Sequence, residues 1–189
     1  MSYITTKISE SAFTPTRSVD VRCENSEKER ILLVDDSPTA RKIFSKYLSG
    51  EIECVEAGSY DEAISELKKR EFAVVITDII MPGLSGIELL RKIIEDYPNT
   101  IVIVVSGVDR PQRALDAMRL GAFDYIIKPC DLEVLEITVD RALRHRSLLL
   151  NAHRAKLDLE TKNEELIKRK VQYVKHIPFS RSIHNLFFN

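Results

Sequence analysis

Five residues of this 189-residue chain could do chemistry of one kind: Asp35, Asp36, Asp78, Ser106 and Lys128. Three carboxylates brought together repel one another unless a cation joins them. Oxygen donors with room for water suit Mg²⁺. Such an ion polarises a phosphoryl oxygen. A carboxylate beside it can act as a nucleophile and form an aspartyl phosphate. A lysine then balances charge on the phosphoryl oxygens, and a serine hydroxyl donates to one of them. Each residue alone has an ordinary reading. Asp35 and Asp36 before Ser37-Pro38 suit the start of a helix. Asp78 suits a turn before Met81-Pro82-Gly83, Ser106 a helix cap, and Lys128-Pro129 a surface turn. Their placement gives the signal, because each stands at the end of an expected strand.

Short apolar runs at 30–34, 52–55, 73–76, 100–105 and 123–127 read as strands. Runs this short and this apolar belong in a parallel sheet covered on both faces. Helical periods lie between them. Ser37 caps the first helix and Pro38 suits its first position. Ile43, Phe44, Tyr47 and Leu48 form its apolar face, and Gly50 stops it. The second helix, 60–70, turns Ala63, Ile64 and Leu67 inward. The third, 86–97, turns Ile87, Leu90, Ile93 and Ile94 inward. The fourth spans 110–120 and the fifth starts near Asp131. Five strand-helix units with short loops demand a doubly wound α/β fold. The carboxyl ends of its strands share one edge, so Asp35, Asp36, Asp78, Ser106 and Lys128 converge there.

The fifth helix meets no proline or glycine from Leu132 to about Lys175. Leu143, Leu150, Leu157 and Val171 recur at sevens, but Glu164 interrupts them. Leu159, Leu166 and Tyr173 form an offset series. A solvated helical extension and a coiled-coil dimerisation arm fit this equally. Pro178 ends the helix before an aromatic tail with Phe179, Phe187 and Phe188. The organisation read from the sequence is a flexible arm at 1–29, a domain at 30–145, a helical extension at 146–177 and the tail at 178–189.

Charge is uneven along the chain. Residues 30–140 carry 13 basic and 20 acidic side chains, whereas residues 141–189 carry 11 basic and 4 acidic. A charge run of this kind most often marks a solvated helix face. Nucleic-acid binding is not expected, since no helix-turn-helix or comparable reader accompanies it. Cys23, Cys54 and Cys130 are odd in number and lack metal-ligand spacing, which suits a reducing compartment. There is no secretory signal pattern and no apolar run near the ~18 residues of a membrane span. The expected location is cytoplasmic, with no membrane insertion.

Residues from about 30 to 145 resemble the receiver domain of two-component response regulators. The resemblance rests on LLVDDSP (32–38), TDIIMPGLSG (77–86), VVSG (104–107) and GAFDYIIKP (121–129). It implies a flavodoxin-like sheet in the order 2-1-3-4-5. It implies Asp78 as the phosphoacceptor, with Asp35 and Asp36 as the acidic pair for Mg²⁺ and the Ile80 backbone carbonyl as a further ligand. Ser106 stands at the hydroxyl switch position, Tyr125 at the aromatic switch position, and Lys128 at the family's lysine position. Pro129 would follow a cis peptide bond. The implied partner is a histidine kinase or a histidine phosphotransfer protein that docks near the first helix. The implied output is a change in the face formed by the fourth helix, fifth strand and fifth helix. Such a protein is a phosphoacceptor and not a turnover enzyme. Two other classes compete. A phosphatase of the haloacid dehalogenase type needs a second aspartate where Ile80 stands. A receiver-like interaction module would not be phosphorylated, and the complete set of acidic, hydroxyl and lysine residues argues against it.

Overall fold

The computed structural model describes residues 28–50, 52–107 and 111–175. The expected tail at 178–189, and the expected arm apart from residues 28 and 29, lie outside them, as do Val108 and Arg110. The elements are β1 (Arg30–Val34), α1 (Pro38–Leu48), β2 (Glu53–Ala57), α2 (Tyr60–Lys69), β3 (Val74–Thr77), α3 (Gly86–Asp96), β4 (Ile101–Ser106), α4 (Pro111–Arg119), β5 (Asp124–Ile127) and α5 (Leu132–Lys175). The strands form one parallel sheet in the order β2-β1-β3-β4-β5. This is the expected doubly wound architecture.

Alternation along the strands builds two cores. Leu32, Val34, Val75, Val102 and Val104 face α2, α3 and α4. Ile31, Leu33, Val74, Ile76, Ile103 and Val105 face α1 and α5. The three central strands β1, β3 and β4 therefore carry apolar residues at nearly every position, and those residues are buried, whereas the edge strands β2 and β5 are only partly buried.

The helix faces differ in detail from the periodic reading. In α1, Phe44 and Leu48 are buried, but Ile43 and Tyr47 are 47% and 42% exposed. The Tyr47 hydroxyl donates to Glu136 on α5 at 3.1 Å, so that side chain bridges two helices at the surface. In α3 the buried set is Leu89, Leu90 and Ile93. Ile94 is partly exposed and lies against Gly121, whereas Leu89, absent from the expected face, is buried. Four apolar residues in two adjacent pairs leave the phase of the helix open, and the sheet beneath decides it.

Helix α5 is 44 residues long, about 66 Å at 1.5 Å per residue. Its first three turns belong to the body, with Leu135, Val139 and Ala142 buried. The last anchors lie at its departure from the body. His145 stacks on Phe123 with ring centroids 5.4 Å apart. Arg146 donates to the Asn99 carbonyl at 2.8 Å and pairs with Glu29 at 3.2 Å. From residue 151 to 173 every side chain is exposed.

Candidate functional site

The strand order places β1 and β3 side by side, with the connection after β1 running toward β2 and the connection after β3 running the other way, toward β4. Ligand sites in open α/β sheets form at this switch point. Asp35 and Asp36 follow β1, and Asp78 follows β3. Their carboxylates supply three oxygen atoms within 4.8 Å of one another. Asp35 and Asp78 are 4% and 8% exposed, and Asp36 faces solvent.

Each carboxylate is aimed by its own loop. Asp35 Oδ1 accepts from the Ser37 N–H at 2.9 Å, where the chain turns into α1. Ser37 in turn accepts from the Ala40 N–H at 3.4 Å and caps the helix. Asp78 Oδ1 accepts from the Ile80 N–H at 3.0 Å. The Lys128 ammonium joins the two sides. It donates to Asp35 Oδ2 at 2.5 Å and to Asp78 Oδ2 at 2.7 Å. Burial works against its charge, but the hydrogen bonds to Asp35 and Asp78 outweigh that cost and hold its pKa above the ordinary lysine range. The Lys128-Pro129 peptide is cis. The Lys128 N–H donates to the Ser106 carbonyl at 2.9 Å, which ties the ends of β4 and β5 together. Ser106 is fully buried at the end of β4, and Tyr125 packs partly buried against the core under α2, α3 and α4.

The structure therefore brings Asp35, Asp36, Asp78 and Lys128 into one cluster, with Ser106 at the neighbouring strand end. Tyr125 lies at the second residue of β5. Ile80 lies in the loop after Asp78, with its side chain 56% exposed. The donor set fits a hard divalent cation: three carboxylate oxygens on a partly open edge, with the lysine ready to exchange one acid for another anion.

Two residues of the site went unnoticed in the sequence. Gly86 opens α3, and a Cβ there would stand 1.8 Å from the Asp78 carbonyl oxygen. Its N–H donates to the Ile79 carbonyl at 3.1 Å. Only a glycine lets the helix press on the backbone of Asp78. Arg41 on α1 donates from Nη1 to the Asp35 carbonyl at 2.5 Å and pairs with Glu56 on β2 at 3.4 Å. It thereby clamps the turn that carries the acidic pair. Gly86 was legible only as a helix start, and Arg41 only as one charge in an amphipathic helix.

A five-stranded parallel sheet with an acidic cluster at its switch point, faced by a lysine just after β5, defines a receiver-type fold. The response regulator receiver domain model matches residues 31–140, and the chain belongs to that family. Among curated relatives, the regulatory protein AtoC of Escherichia coli (strain K12) is 37% identical over 122 residues, covering 63% of this chain and 26% of that protein. A cyclic di-GMP phosphodiesterase of Thermotoga maritima is 34% identical over 118 residues, covering 61% of this chain and 31% of that protein. The crystal structure of a response regulator receiver domain protein from Clostridium thermocellum superposes with a TM-score of 0.61 at 34% identity, covering 64% of this chain and 98% of that one. The chain spans less than a third of the length of the curated relatives it matches.

Proposed function

We propose that this chain is the receiver of a two-component phosphorelay and that Asp78 is its phosphoacceptor. The observation that carries the reading is the triangle of Asp35, Asp78 and Lys128, in which one ammonium bridges two buried carboxylates beside the more exposed Asp36. In the proposed reaction an Asp78 oxygen attacks the phosphorus of a phosphohistidine. The new O–P bond forms as the P–N bond breaks, and the imidazole nitrogen leaves with the bond's electron pair. Bound Mg²⁺, held by Asp35, Asp36, Asp78 and the Ile80 carbonyl, would supply charge neutralisation to the phosphoryl oxygens. Lys128 exchanges its bond with Asp78 for one with a phosphoryl oxygen. Ser106 donates to another, and Tyr125 turns inward behind it. That shift biases the α4-β5-α5 face between two states.

The phosphodonor is a histidine kinase or histidine phosphotransfer protein that docks near α1. The output is control of a partner or of homodimerisation through the free part of α5. We place the protein in the cytoplasm, in keeping with the absence of any membrane-crossing helix among the described residues. The chain acts as a phosphoacceptor and does not turn over a substrate. A second arrangement has the receiver regulating a linked output domain, because its relatives are several times longer. Those relatives bear names as different as a DNA-binding transcriptional regulator and a cyclic di-GMP phosphodiesterase. Nucleic acid is not the proposed partner, since the basic residues of 141–175 lie along one continuous helix and no helix-turn-helix accompanies them among the described residues.

Labelling of the purified chain by a small radiolabelled phosphodonor tests this. Label should appear with Mg²⁺, vanish with EDTA, and be absent from Asp78→Ala. Label that survives in Asp78→Ala contradicts it. The exposed Ile80 side chain, two residues beyond Asp78, and Val108, two residues beyond Ser106, are both apolar and cannot orient a water, which implies a long-lived phosphoaspartate. Ile80→Asn should speed loss of the label, and decay of the unaltered protein within seconds would contradict the idea.

A further inference from the structure

Beyond Arg146, helix α5 presents eight large apolar side chains that are 49–74% exposed: Leu148, Leu149, Leu157, Leu159, Leu166, Ile167, Val171 and Tyr173. At about 100° of rotation per residue they separate into two lines about 130° apart around the helix. Leu149, Leu157, Ile167 and Val171 prolong the inward face that carries Leu135, Val139 and Ala142. Leu148, Leu159, Leu166 and Tyr173 lie on the outer side. Ala152, Ala155, Lys162 and Arg169 fill the gaps between these four. The outer positions then run 148, 152, 155, 159, 162, 166, 169 and 173, in alternating steps of four and three, which is the spacing of a coiled-coil seam.

We propose that this outer seam binds the same seam of a second copy of the chain, with the two helices antiparallel. The proposal rests on the homodimer reading above and adds its surface and orientation.

Size and charge select the orientation. In a parallel pair in register, every seam residue meets its own copy. Ala152 and Ala155 then form thin layers, and Lys162 and Arg169 each meet a like charge. Turned end for end about a two-fold axis between positions 160 and 161, the seam pairs differently. Leu148 meets the partner's Tyr173, Ala152 the partner's Arg169, Ala155 the partner's Leu166, and Leu159 the partner's Lys162. Small residues now face large ones, which fills the layers. The two cations lay their aliphatic stems on apolar partners and extend their charged ends to water. Symmetry makes every contact twice.

One rim contact opposes this arrangement. Asp158 comes near the partner's Glu165, whereas a parallel pair would set Glu165 beside the partner's Lys170. Rim charges stand in solvent, where such pairs are weak, so the seam decides. The inner line is the poorer surface. Glu160 and Glu164 lie at its centre, and an antiparallel pair centred on it sets one against the other.

Two measurements on the full chain test this. Sedimentation should show a dimer, and Leu159→Glu on the outer line should convert it to monomer while Leu157→Glu on the inner line does not. Ala155→Cys and Leu166→Cys chains, mixed, oxidised and digested, should give a disulfide joining residue 155 of one chain to residue 166 of the other. Both positions are exposed, so neither change burdens the fold. Dominant links of 155 to 155 would overturn the orientation and leave the homodimer standing. A dimer with neither link, or one broken only by Leu157→Glu, places the contact elsewhere and overturns the proposal. A monomer at about 100 μM removes both the proposal and the homodimer reading.

Discussion

The carboxyl edge of the sheet and the outer half of α5 are built on opposite terms. At the edge, the constraints come from distant parts of the chain. Both oxygens of Asp35 are engaged, one by its own loop and one by Lys128, 93 residues away. Asp78 is held in the same way, and Gly86 presses on its backbone. In α5 beyond Arg146, contacts among the described residues include ones local to the helix, such as Lys156 with Glu160 at 3.9 Å and Thr161 with the Leu157 carbonyl at 2.9 Å. The edge is a site because the body has already arranged it. The helix is an element whose apolar side chains stand exposed among the described residues. The first region gathers charged groups from separate parts of the chain, and the second displays apolar side chains along one helix.

That contrast can be broken most sharply by separating the two. Asp78→Ala should lower phosphoryl labelling by at least about 100-fold, whereas a chain ended after Arg146 should keep it within about twofold. Loss of labelling in the shortened chain would mean that the extension takes part in the site. Next in size is packing. Leu135→Ala, in the buried part of α5, should cost about 2–5 kcal/mol in urea unfolding. Leu159→Ala, measured where the chain is monomeric, should stay within about 0.5 kcal/mol. Equal costs would show that the outer helix is covered by its own body.

Glycines give a finer test. Gly86→Ala should destabilise the fold by about 1–3 kcal/mol and depress labelling, because the Asp78 carbonyl must move. Gly50→Ala, where a Cβ meets nothing within 4 Å, should change stability by less than about 0.5 kcal/mol and leave labelling alone. The smallest effect concerns Cys54 on β2. Burial first, and the Glu56 carboxylate second, push its thiol up to about 11 from 9.0. The thiol stays protonated until the pH nears that value. At pH 8 its thiolate fraction is about 100-fold below that of an ordinary thiol, so alkylation should be slower in proportion and rise about tenfold per pH unit to pH 10. Rapid alkylation at pH 8 would place Cys54 outside the core under α1 and α5.

The same contrast explains what could be read in advance. The central strands β1, β3 and β4, buried on both faces, are written as plain apolar runs, and the partly buried edge strands β2 and β5 keep a shorter apolar stretch, so all five were legible, and their order of appearance with helices between them left one fold class. Residues at strand ends were legible too, because topology alone gathers Asp35, Asp36, Asp78, Ser106 and Lys128 at one edge. Side chains whose task is set by a third element were not. Arg41 reaches back to the Asp35 carbonyl, and nothing local distinguishes it from Lys42. Gly86 matters through the backbone of Asp78 eight residues earlier. The phase of α3 escaped because Leu89, Leu90, Ile93 and Ile94 permit two faces. The offset series in α5 was visible, yet which series continues the buried face of the helix depends on where Leu135, Val139 and Ala142 meet the sheet.

The central claim concerns one atom pair, a phosphorus bonded to a carboxylate oxygen of Asp78. Borohydride reduces an acyl phosphate to the alcohol, which would convert that aspartate to homoserine. The chain phosphorylated in Mg²⁺, reduced and digested, should carry homoserine at position 78 and aspartate at positions 35 and 36. Homoserine at either of those positions instead, or none after labelling, would contradict the account.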